Sequence, residues 1–125
     1  MRYFILLAAT TCLGFALSAT PAAAQTDQNW LFCANQSNAY SPEQQIGGCT
    51  AVIEGPNRPT TQDLSIAYSN RGNAYLARRD YTHASSDYDQ SIRLNPNYAD
   101  GYYNRGILNY EQRNYAQSVS DYNQA

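Results

Sequence analysis

The sequence predicts an all-α fold made of about three stacked helix pairs, and three observations predict it. First, a shift of 34 residues superposes Tyr68 on Tyr102, Asn70-Arg71-Gly72 on Asn104-Arg105-Gly106, Arg79 on Arg113 and Tyr81 on Tyr115. The same shift brings Ser86-Asp87-Tyr88 onto Ser120-Asp121-Tyr122 and Gln90 onto Gln124, giving ten identities over 24 pairs. A fixed period of this length marks a repeat architecture. Second, Leu64, Tyr68, Gly72 and Tyr75 form one helical stripe, and Ala84, Tyr88 and Ile92 another, at steps of three and four. Third, the breaks fall between the stripes: Asn95-Pro96-Asn97 stops a helix, and Thr60 with Asp63 has the spacing of an N-terminal capping box.

In chain order, residues 1–24 have the layout of a cleaved export signal. Arg2 gives a positive start, Tyr3 to Ala19 is mostly apolar, and Ala22-Ala23-Ala24 offers small residues for a cut before Gln25. A retained membrane anchor needs ~20 consecutive apolar residues, whereas Thr10, Thr11, Ser18 and Pro21 interrupt this stretch. Lipidation at Cys12 is the weaker alternative, because Ala9-Thr10-Thr11 is a poor lead-in and the apolar run continues to Leu17. The expected location is therefore periplasmic or secreted. All eight basic residues are Arg, and loss of Arg2 takes the formal charge from −2 to −3. A binder of phosphate backbones draws most of its affinity from a basic face, so nucleic acid is not the expected partner. Nothing after residue 24 is apolar enough to span a bilayer.

Residues 60–98 and 99–125 are the two clear repeats. The first reads Tyr68-x-x-Arg71-Gly72-x-x-Tyr75, then Ala84-x-x-x-Tyr88, then Pro96, with Ser91 in a slot that usually holds Ala. In this pattern and period the chain resembles the tetratricopeptide repeat family. The second copy keeps Tyr102, Gly106 and Tyr122 but has Asn109 where an aromatic is usual and Ser118 where Ala is usual, with Tyr110 and Val119 adjacent. The resemblance implies antiparallel helical hairpins stacked into a short right-handed superhelix. Gly72 and Gly106 would let paired helices approach, while tyrosines fill the space around the contact. The last repeat ends within its second helix, as a truncated array would.

Cys33 and Cys49 are 16 residues apart, the separation of Gly72 from Tyr88 and of Gly106 from Tyr122. They therefore fall in slots that meet across the later hairpins, and residues 25–59 are expected to form a divergent, disulfide-stapled hairpin with its linker. Gln28 to Ala39 would be its first helix, and Pro42 would open a second ending near Glu54. Gly55-Pro56-Asn57-Arg58-Pro59 lengthens the spacing to the next unit to 39. A redox pair is the alternative, although such pairs usually have CxxC spacing. Two cysteines and a distant His83 fall short of a zinc site, so no metal and no cofactor are expected.

Arg71 and Arg105 stand where the family usually has a buried Leu, and Asp87 and Asp121 follow each by 16 residues, which suggests a structural ion pair within each hairpin. The resemblance also places a ligand groove along the first helix of each pair. Counted from Ser65 and Ala99, its positions include Asn70, Asn73, Tyr103, Asn104, Ile107 and Tyr110. Asn70 and Asn104 lead, since a carboxamide both donates to and accepts from an extended peptide backbone. The plainer alternative is that they are only polar residues of an Asn-Arg-Gly motif. These helical positions hold neither Lys nor Arg, so a neutral or mildly basic guest touching Tyr103, Tyr110 and Glu111 is expected. The one His and the scattered acids form no catalytic constellation, and no phosphate-cradling loop appears. Asn35-Gln36-Ser37 matches a glycosylation acceptor, a short motif of little weight. The function expected is a non-catalytic protein-binding module of the bacterial cell envelope. The alternative is a structural subunit that self-associates through its open C-terminal end, or a fragment of a longer array.

Overall fold

A computed structural model describes residues 22–125, which form six α-helices: α1 (Ala22–Ala34), α2 (Pro42–Glu54), α3 (Thr61–Ala77), α4 (Tyr81–Leu94), α5 (Ala99–Glu111) and α6 (Tyr115–Gln124). The expected leader, with Cys12, lies outside the described residues, except that Ala22, Ala23 and Ala24 begin α1.

Helix starts follow from local chemistry. Ser41 and Gln44 form a capping box before Pro42, and Thr60 and Asp63 form another, so orphan N–H groups at both helix starts are satisfied. Asp80 caps α4 by accepting from the His83 N–H. In the α3–α4 and α5–α6 turns, Arg79 and Arg113 adopt left-handed backbone with φ of 59° and 64°. The following N–H groups reach back, Asp80 to the Tyr75 carbonyl and Asn114 to the Asn109 carbonyl.

Both ends of the first helix differ from expectation: it begins at Ala22 and not Gln28, so it runs through the expected cut before Gln25. The first helix ends at Ala34 and not Ala39. Asn35 turns left-handed, and its carboxamide spans the loop, accepting from the Tyr40 N–H and donating to the Tyr40 carbonyl and the Gln45 side chain. Asn tolerates that backbone better than most residues, which lets this loop break a helix that composition alone would extend.

Helices pair as α1–α2, α3–α4 and α5–α6. Contacts of low residue number in one helix meet high number in the next, as Ser65 meets Ser91 while Arg71 meets Asp87, so the pairs are antiparallel. The first helices touch one another, α1 with α3 and α3 with α5, whereas α2, α4 and α6 make no such contacts among the described residues. The first helices are thus the inner, concave layer of a short superhelix.

Each hairpin closes at one point. A Cβ on Gly72 would sit 2.6 Å from Tyr88 Cε1, and one on Gly106 would sit 2.6 Å from Tyr122 Cε1, so ring and bare backbone interlock in both. At the equivalent point in the first hairpin the Cys33 and Cys49 sulfurs are 2.10 Å apart, at bonding distance, with Cα atoms 4.4 Å apart. No ring separates those helices, and Gly48 permits the approach: a Cβ there would lie 2.5 Å from Phe32 Cβ. The core is correspondingly lean, with Cys33, Cys49, Val52 and Ala67 in one cluster and Ala84, Tyr88 and Leu108 in another.

Small polar residues in the core are all partnered. Ser65 donates to the Ser91 carbonyl at 2.9 Å and Ser91 returns a bond to the Ser65 carbonyl at 2.7 Å. Ser118 donates to the Gly106 carbonyl at 2.8 Å, which explains how it replaces Ala in the second repeat. Among the described residues no buried side-chain N or O atom lacks a partner.

Candidate functional site: the concave face

Two cavities open along α3 of the inner layer. One of about 370 Å³ lies between the first two hairpins, where the α1–α2 loop faces Asn70, Asn73 and Ala77 of α3. The other, about 510 Å³, lies between the second and third hairpins and is lined by Asn73, Leu76, Ala77, Arg79 and Glu111. Asn73 and Ala77 border both, so the two openings form one trough along α3.

The groove residues expected from the sequence are divided by the structure. Asn70 and Asn73 line the trough, half-buried, and Asn73 accepts from the Tyr88 hydroxyl at 2.8 Å. Asn104 instead donates to Ser69 at 3.1 Å and ties α5 to α3. Tyr103, Ile107 and Tyr110 border neither cavity. Tyr103 packs on Tyr122 with ring centroids 5.7 Å apart, and Tyr110 on Tyr115 at 5.5 Å.

One correction concerns charge. The helical groove positions hold no cation, yet Arg79 reaches the cavity from the α3–α4 turn, a place that counting along helix positions passes over. Glu111 stands in the same cavity. Burial pushes the Tyr88 phenol above its ordinary pKa, with Glu111 and then Asp87 adding to the rise.

Behind the trough, two arginines repeat one arrangement. Arg71 Nε and Nη2 donate to the two Asp87 oxygens at 2.8 and 2.9 Å, and Nη1 donates to Thr50 of the preceding hairpin at 3.0 Å. Arg105 Nε and Nη2 donate to Asp121 at 3.1 and 2.7 Å, and Nη1 donates to Asp89 of the preceding hairpin at 2.8 Å. Thr50 and Asp89 are equivalent once the five-residue linker is allowed for, so each guanidinium bridges two hairpins. Spacing within one hairpin points to the acids Asp87 and Asp121; the acceptors Thr50 and Asp89 in the preceding hairpins are visible only in the frame of 39 residues. Hydrogen bonding to Asp87 raises the Arg71 pKa, and bonding to Asp121 raises that of Arg105. Tyr68 and Tyr102 lie under the guanidiniums at 5.3 and 5.8 Å. Asn109, out of pattern as an aromatic, donates to Asp121 at 2.8 Å and completes that carboxylate's partners.

Among the described residues no group of three or more His, Cys, Asp or Glu is placed to hold a metal ion. No described helix is long and apolar enough to cross a membrane.

A protein-family model for the TPR repeat matches residues 72–113, which run from the interlocking glycine of the second hairpin to the left-handed turn of the third. No curated protein matches the chain significantly.

Proposed function

Because the chain carries tetratricopeptide repeats, we propose that it is a non-catalytic module of the bacterial cell envelope that docks a partner protein or peptide in its concave face. The observation that carries this is the trough along α3, whose floor presents the Asn70 and Asn73 carboxamides. A carboxamide supplies both a donor and an acceptor, which is what an extended backbone requires of its seat. Export is supported by Cys33 and Cys49 at bonding distance, since disulfides persist in oxidising compartments. Pull-down from envelope extract tests the groove: Asn70→Ala, which removes a trough-lining carboxamide without cutting a bond between helices, should lose partners that the wild type recovers. Equal recovery of the same partners rejects the assignment.

A second reading rests on a different observation. Of the six exposed large apolar side chains among the described residues, five (Tyr103, Tyr110, Tyr115, Val119 and Tyr122) belong to the last hairpin. Such a patch on a monomer suits self-association. A head-to-tail stack does not fit, because α1 offers Gln28 and Phe32 where the internal interfaces use Ala67 or Gly101 and Arg71 or Arg105. Association would therefore be symmetric, α6 against α6. Light scattering decides between them: a dimer lost on Val119→Glu supports this reading, and a monomer at all concentrations removes it.

A further inference from the structure

Arg79 and Glu111 face the same opening from neighbouring hairpins. Among the described residues neither takes part in an ion pair, although every guanidinium at the repeat's buried position does. The left-handed backbone at Arg79, which ends α3 as Arg113 ends α5, turns this residue towards the opening. Its neighbour Arg78 is spoken for by Glu43 at 3.5 Å, so the two arginines of this turn have different surroundings.

Two opposite charges that share a cavity without pairing constrain what can enter it. Both side chains are exposed, so a neutral guest gains nothing from either. A purely acidic guest meets Glu111, and a purely basic one meets Arg79, at a like-charge penalty in either case. Only a guest presenting both signs in the right order satisfies both walls.

Resting on the groove assignment above, we infer that the trough selects an extended segment bearing one acidic and one basic side chain, the acid seated at Arg79 and the base at Glu111. This revises the neutral or mildly basic guest expected from helical positions alone. The separation of the guest's charges follows from geometry. Neighbouring packed helices lie about 8–10 Å apart, and an extended chain advances about 3.3 Å per residue. Because successive side chains of an extended chain point to opposite faces, two charges directed into the trough should stand an even number of positions apart, two being nearest to that spacing, with the backbone between them passing over Asn73.

The probe is an array of ten-residue Ser/Ala peptides carrying one Asp and one Lys two, three or four positions apart, in both orders, with Asp-only, Lys-only and uncharged controls. Wild type should retain one order at least about tenfold better than the other and than all controls. Arg79→Glu/Glu111→Arg, checked for an unchanged melt, should invert that preference. Asn70→Ala should weaken both orders alike, which reads the carboxamide floor separately from the charges. Binding that ignores order, a swap that keeps the wild-type order, or an array from which nothing is retained overturns the inference. If order is ignored while Asn70→Ala still weakens binding, the groove stands and only its charge selectivity falls.

Discussion

Removing the Asp87 carboxylate tests whether the buried arginines hold the array together. Asp87 and Arg71 side chains are 7% and 15% exposed, and the pair is bidentate. Asp87→Ala leaves a largely desolvated guanidinium with one neutral acceptor, Thr50, and the Tyr68 face. Breaking a buried pair from one side costs ~3–5 kcal/mol, and the remaining partners place this case near the lower figure, about 3 kcal/mol. At ~4–8 °C per kcal/mol for a domain of this size, the melting temperature should fall by roughly 12–24 °C. Asp89→Ala breaks a bridge to Arg105 whose carboxylate is 53% exposed, so the expected loss there is at most about 1 kcal/mol. Arg71→Met/Asp87→Ala, which restores an apolar contact like the Leu usual in the family, should recover most of the first loss. Circular-dichroism melts of the four proteins suffice. An Asp87→Ala melt within about 4 °C of wild type, or one no lower than that of Asp89→Ala, refutes the reasoning.

Other outcomes follow from the same geometry. Gly47 has nothing within 4 Å of an added Cβ and lies inside α2, so Gly47→Ala should stabilise by about 0.5–1 kcal/mol. Gly72→Ala drives a Cβ into the Tyr88 ring and should destabilise by about 1–3 kcal/mol, both read from urea midpoints. Tyr88 is fully buried beneath Leu108, whereas its equivalent Tyr122 is 40% exposed; Tyr88→Ala should therefore cost about 3–5 kcal/mol and Tyr122→Ala markedly less. Peptide mapping under non-reducing conditions should recover a Cys33–Cys49 cross-linked fragment, and reduction should remove about 3 kcal/mol of stability. The backbone bond from His83 holds the Asp80 pKa below its ordinary value. A depressed carboxyl contributes stability that is present above the ordinary aspartate range and is lost as pH falls through the lowered folded value. The wild-type urea midpoint should accordingly drop more between neutral and strongly acidic pH than that of Asp80→Asn.

What the sequence made legible was whatever depends on spacing. Gly72 against Tyr88 and Gly106 against Tyr122 lie 16 residues apart, so the same interval at Cys33 and Cys49 located a hairpin whose own residues carry no repeat pattern. Features that depend on backbone handedness stayed hidden. Asn35 could end α1 or continue it, and only its bonds to Tyr40 and Gln45 decide between them. Arg79 belongs to a turn, and a turn residue's direction is set by φ rather than by helical periodicity; position counting therefore left the groove without a cation. The surroundings of Asn104 were hidden for another reason: Ser69, close by on α3, takes up its amide. Its repeat mate Asn70 makes no such bond and faces the α1–α2 loop across open space. Identical residues in identical slots thus acquired different surroundings from unequal neighbours.

The arginines that reach across hairpin boundaries also bear on how the molecule comes apart. If the first hairpin frayed, Arg71 would lose its Thr50 contact; if the second did, Arg105 would lose Asp89. Each local opening therefore weakens the next unit along, in the manner of a nearest-neighbour chain whose links cannot be cut singly. Such coupling favours a single cooperative transition over stepwise fraying, and it keeps the shape of the inner surface from changing one hairpin at a time.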